Sequence, residues 1–171
     1  MSYLLRQIDG AKWLKPKNIA QDSKFPADLV TDLQTANNTL SVYLIDKDTD
    51  IEKSIIAIAS KKFLKEFTFA LIKLSDVEKD FTIKPTTSKS PFEEADSLHY
   101  DFLRLTANDL IKLAMLIHNK AEKDTKTEPE VRDLLEKSKK KLNFKMMPHQ
   151  LHKEFKIPCG FEYKCPPKLE K

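Results

Sequence analysis

The sequence predicts a small α/β domain: a short mixed sheet containing one right-handed βαβ unit, packed by a helix-rich C-terminal half. Three observations lead there. Leu40–Ile45 and Phe67–Leu74 are apolar, β-rich runs of strand length, as buried strands are. Between them Ile51, Ile55, Ile58 and Ala59 recur at helical spacing. Strand, helix and strand within about 35 residues read as a crossover joining a parallel pair. From Pro91 onward the apolar period is helical, so helix is expected to exceed strand by more than two to one.

Taken in order, Tyr3 to Ile8 reads as a strand, and Asp28 to Gln34 suits a short helix. Thr49-Asp50-Ile51-Glu52 has the form of a capping box and opens a helix over 50–62. Phe81 to Pro85 reads as an edge strand, because proline cannot donate to a further ladder. Phe92, Ala95, Leu98, Phe102 and Leu105 share one face of a helix over 91–105. Thr106-Ala107-Asn108-Asp109 is a second capping box, starting a helix to Lys123 that is apolar almost all round and therefore expected to be the most buried. Lys123 to Lys126 reads as a polar linker. Thr127-Glu128-Pro129-Glu130 then begins a helix to Leu142, with proline in the tolerated first turn. Residues 1–142 form the expected single domain, and 143–171 a basic extension containing prolines and aromatics.

Composition bounds the function. A chain of 171 residues suits one domain with a full core. Only 2 residues are glycine, so glycine-rich phosphate cradles of the P-loop and dinucleotide kinds are excluded. No apolar stretch approaches the roughly 20 residues of a membrane helix, and the first residues lack a signal-peptide core. The two cysteines, Cys159 and Cys165, lie close together near the end of the chain, consistent with reduced thiols and a cytoplasmic location. Charge is uneven. Residues 1–130 carry 19 Lys and Arg against 21 Asp and Glu, whereas 131–171 carry 11 against 5.

Three groups of residues are candidates for chemistry. Asp46 and Asp48 follow the first predicted strand of the crossover, and Asp76 and Glu78 the second. Carboxylates gathered at the C-terminal edge of parallel strands hold Mg²⁺ or Mn²⁺ for phosphoester or nuclease chemistry. An EF-hand is excluded, since Ile51 stands where its turn glycine belongs and Ala57 where its bidentate glutamate belongs. His149, His152, Cys159 and Cys165 supply four N/S donors, the set for a tetrahedral zinc site. Finally, Lys139, Lys140, Lys141 and Lys145 interleave with Phe144, Phe155, Phe161 and Tyr163. That mixture suits phosphate contact with base stacking, or aromatic anchors in a protein interface. His99 and His118 sit in apolar contexts with no partner identifiable in the sequence, and read as packed residues. No complete catalytic constellation is present. The expectation is a non-catalytic cytoplasmic interaction protein that binds a protein or nucleic-acid partner through its basic aromatic C-terminal segment. The divalent-metal phosphoesterase is the alternative.

Overall fold

Strand β1, Tyr3–Gln7, carries Leu4 and Leu5 side by side, and both are fully buried. Successive strand side chains point to opposite faces, so a strand buried at both positions needs a packed layer above and another below. The computed structural model describes residues 1–14, 26–61, 65–87, 90–143, 146–148 and 151. After β1 come α1 (Gly10–Trp13) and α2 (Ala27–Asp32), then β2 (Leu40–Ile45), α3 (Asp48–Ala59) and β3 (Phe67–Lys73). A 3-10 turn at Leu74–Asp76 leads to β4 (Thr82–Pro85), and another at Glu93–Leu98 to β5 (His99–Leu103). The chain continues through α4 (Ala107–Lys120), β6 (Glu122–Lys126), α5 (Glu128–Ser138) and a 3-10 turn at Lys139–Lys141.

The six strands form one sheet in the order β4-β5-β2-β1-β3-β6, antiparallel at every pairing. This overturns the expected parallel βαβ unit. β2 and β3 do not pair: β1 lies between them, opposing Leu44 with Leu4 on one side and Ile72 with Leu4 on the other. The physical reason is the N-terminal strand itself. Its apolar residues on both faces and its two rows of backbone donors and acceptors find partners only in the interior of a sheet.

Alternation along the strands separates two cores. Leu5, Tyr43, Ile45, Phe67 and Phe69 face α3 and α5, meeting Ile55, Ile56, Val131 and Leu135. Leu4, Val42, Ala70, Ile72 and Phe102 face the other way, toward Trp13, Leu29, Leu33, Leu113 and Ile117. The fold is thus helix, sheet and helix in three layers. Met147 and Leu151, beyond the expected domain end at 142, are buried in the first of these cores.

Four further expectations are corrected. The helix over 91–105 is instead a 3-10 turn followed by β5. Spacing of three at Phe92, Ala95 and Leu98 suits a 3-10 turn as well as an α-helix. His99 to Leu103 then pairs with both β2 and β4, which overrides the helical pattern. Residues 122–126 are strand rather than linker. The helix expected to be most buried, α4, buries only Leu113, Ala114 and Ile117, while Ile111 and Met115 are 42% and 44% exposed. With these two extra strands, helix does not exceed strand by two to one among the described residues.

The local end signals fare better. In α4 the Thr106 hydroxyl accepts from the Asp109 amide at 3.2 Å, and the Asp109 carboxylate accepts from the Thr106 amide at 2.9 Å. Thr127 and Glu130 form the same reciprocal box at α5. At α3 the expected box does not form. The helix starts at Asp48, and Asp50 turns inward, its carboxylate accepting from the Asp46 amide at 3.3 Å. Ahead of β2, Asn37 and Asn38 both have positive φ (53° and 58°) within a turn closed by Ala36 and Thr39. Asparagine tolerates this left-handed pair better than most residues.

The central place of β1 makes it the most sensitive strand. Leu5→Ala is expected to lower unfolding free energy by about 3 kcal/mol, and Ile83→Ala, half-buried on β4 at the sheet edge, by no more than about half as much. Urea denaturation of the two variants measures the difference.

Candidate functional site

A well-formed recess lies where α3 and α5 pass over β3 and β6. Each helix offers one stripe to it. Asp48, Ile51, Glu52 and Ile55 line it from α3, and Glu130, Asp133, Leu134 and Lys137 from α5. Both sets follow i, i+3, i+4, i+7, the spacing that puts residues on one helical face. The floor comes from the sheet. Phe69 and Leu71 oppose Asp124 and Glu122 across the β3–β6 ladder, so the apolar face of β3 runs directly into the charged face of β6. The groove encloses about 600 Å³, within the range of ligand-sized recesses.

Its electrostatics are one-sided. Three lysines line it and each is already engaged. Lys137 meets Asp133 at 2.6 Å, Lys126 meets Asp124 at 3.6 Å, and the Lys123 ammonium donates to the carbonyls of His118 and Ala121 at the end of α4. Burial lowers the Lys123 pKa, while the hydrogen bond and charge of Asp133 raise that of Lys137. Asp48, Glu52 and Glu122 are exposed and make no ion pair among the described residues. Glu130 accepts from the Thr127 amide and hydroxyl, which holds its carboxyl below the usual range and keeps the rim negative into mild acid. The site is therefore an apolar floor edged by six carboxylates against three lysines.

The residues expected from sequence distribute differently. Asp46 accepts from the Ser2 hydroxyl at 2.6 Å, Asp48 begins α3 on the groove rim, Asp76 ends the 3-10 turn after β3, and Glu78 is exposed beyond it. With β1 interposed, the ends of β2 and β3 stand two strand spacings apart, roughly 10 Å. No group of three or more His, Cys, Asp or Glu among the described residues is placed to hold a metal ion. Lys139 and Lys141 make ion pairs with Glu136 (3.8 Å) and Glu94 (2.8 Å), and Lys140 is exposed. Phe144, Lys145, Phe155, Phe161 and Tyr163 lie outside the described residues, as do His149, His152, Cys159 and Cys165. No described helix is long and apolar enough to cross a membrane.

Sequence reasoning passed over Glu122, Asp124 and Lys126. The available signal was their alternation within Glu122–Lys126, which aligns three charges on one face of a strand.

A second polar cluster lies on the same face of the sheet, toward its β4–β5 edge. His99 is buried, its Nδ1 within 2.8 Å of the Thr86 hydroxyl and its ring edge-on to Tyr43 at 5.3 Å. Asp96 and Asp101 each bury a carboxylate oxygen with no hydrogen-bond partner among the described residues. Burial lowers the His99 pKa; Asp101, the Thr86 bond and Asp96 oppose that shift, and Lys61 adds to it. Buried and edge-on to Tyr43, His99 reads as a packed residue. Comparison with known proteins gives no match: no protein-family model, no curated protein and no solved structure is similar enough to identify the chain.

The His99 environment predicts a pH dependence of stability. With the folded pKa below the ordinary 6.5, the unfolded chain takes up the proton first. Stability from neutral His99 is complete above about pH 6.5 and is lost as pH falls from there through the folded pKa. Denaturation midpoints measured between about pH 7.5 and pH 5 should fall for the parent chain, and His99→Asn should flatten that fall.

Proposed function

We propose that the protein is a non-catalytic interaction protein whose α3–α5 groove receives a cationic, amphipathic segment of a protein partner. The observation that carries this is the pairing of two stripes, each alternating carboxylates with Ile51, Ile55 or Leu134, over the floor of Phe69 and Leu71. An amphipathic helix lays its apolar face into such a groove while its basic residues meet the rim. Charge complementarity selects the occupant. Asp48 and Glu122 make no ion pair among the described residues, Glu52 shares the charge of Lys137 with Asp133, and the other groove lysines are held by Asp124 and the end of α4. Ion pairs at Lys139 and Lys141 favour a protein partner over nucleic acid, because a phosphate would first have to displace Glu136 and Glu94. The basic aromatic segment from Lys139 to Tyr163 belongs to the same proposal, as a second contact of opposite sign.

Fluorescence anisotropy tests the groove. The probe is a labelled helical peptide of about 14 residues with leucines on one face and lysines beside them, against the same peptide with glutamate for lysine. The lysine peptide should bind with a Kd of roughly 10 μM and weaken as salt rises. Glu52→Lys combined with Glu122→Lys, both at exposed positions, should weaken it at least about tenfold. Equal binding of the two peptides, or of parent and variant, would refute the assignment.

A further inference from the structure

A separate cavity of about 460 Å³ lies between the end of β1, the end of α2 and the start of β3, and shares no lining residue with the α3–α5 groove. Its walls are charged: Arg6, Asp9, Asp32, Lys65, Glu66 and, beside them, Thr68. Gly10 lets the wall close in, because a Cβ there would stand 2.6 Å from the Thr68 hydroxyl.

Arg6 is the unusual residue. A guanidinium has five N–H donors in a fixed fork. Here Nη1 donates to the Ser41 carbonyl at 2.9 Å, and Nε is buried without a hydrogen-bond partner among the described residues. Asp32 raises the Arg6 pKa against the larger opposing effect of burial, yet no ion pair joins the two. The Asp32 carboxylate is engaged at one oxygen, Oδ2, by the Asp9 amide at 2.9 Å and the Trp13 indole N–H at 2.7 Å. Asp9 uses Oδ1 to cap α1 at Ala11. Glu66 and Lys65 are exposed at the rim and make no ion pair among the described residues. Two cations and three carboxylates thus border one space, and no ion pair among the described residues joins them across it. Of the cavity's charged groups, Arg6 alone holds a buried polar atom without a hydrogen-bond partner among the described residues.

We propose that this cavity binds a small zwitterion of the α-amino-acid type, its carboxylate on the Arg6 fork and its ammonium among Asp9, Asp32 and Glu66. The fork geometry of a guanidinium matches a carboxylate with two parallel hydrogen bonds. An ammonium carries three donors and suits acceptors converging from different elements. The excess of carboxylates over cations leaves the site able to hold the ammonium after Arg6 has taken the acid group. A simple anion would meet three like charges, and a simple cation would leave Arg6 unmet.

The test uses the full chain and the twenty common amino acids as probes, each at about 10 mM, with thermal unfolding as the first readout. At least one amino acid should raise Tm by about 3 °C or more. For that amino acid, calorimetry should show its amide and its N-acetyl form each binding at least about tenfold more weakly, since each removes one of the two charges. Glu66→Gln, at an exposed position, should leave the ligand-free Tm unchanged and weaken binding about threefold or more. Arg6→Lys should abolish it; should that variant fail to fold, the derivatives and Glu66→Gln still decide. No stabilisation by any amino acid would overturn the proposal, as would an N-acetyl or amide form binding as well as the parent. Because the two recesses share no residue, failure of the peptide-binding groove leaves this result unaffected, and the reverse holds too.

Discussion

Everything in this molecule depends on β1 being hydrogen-bonded along both edges. Tyr3, Leu4 and Leu5 pair with β2 on one side and all five of its residues with β3 on the other, and its adjacent leucines point into two different cores. A strand buried on both faces has no water to fall back on, so each backbone group must find a protein partner. That requirement sets the order of the sheet. It forces α3 to pass from β2 to β3 across the strand between them, on the Leu5 face. It also decides where charge gathers: the carboxylates after β2 and β3 are held apart, while α3 is carried over the β3–β6 edge.

Both recesses follow from this arrangement. The groove exists because β6 is an all-polar strand at the margin of an apolar sheet face, leaving Ile51, Leu71 and Leu134 only partly covered. The cavity beside Arg6 exists because β1 continues past its ladder into Asp9 and α1, and Asp32 reaches back from α2 to hold that turn. In each case an ionised group sits at a place where the layers end. Carboxylates dominate the described surface of both recesses, whereas the cationic excess of the chain lies after residue 130.

Local signals in the sequence were legible where one residue or one short segment decides the structure. The threonines at 106 and 127 mark helix starts because their partners, Asp109 and Glu130, are three residues away. Pro85 marks an edge because a missing N–H is a local fact. Pairings were not legible, because they join residues far apart. Glu122–Lys126 has no apolar alternation, and it is a strand only by virtue of lying against Phe67–Leu71. His99–Leu103 continues a helical period and becomes strand because β2 and β4 flank it. Asp48 and Glu52 were visible as charges near a helix start, but the groove they border needs Glu122 and Asp124, which only the sheet brings there.

The same pairing pattern bears on how the chain reaches this state. No ladder in the sheet is a tight hairpin. Tyr3 waits for Lys73, Leu40 for Phe102 and Phe67 for Lys126. Closing such loops costs chain entropy before any contact returns it. Mean sequence separation of this size places folding in the slow, millisecond-to-second regime of β-rich domains, despite the helices. The strand synthesised first is the one that completes the sheet, and until β2 and β3 arrive on either side its two leucines have nothing to cover them.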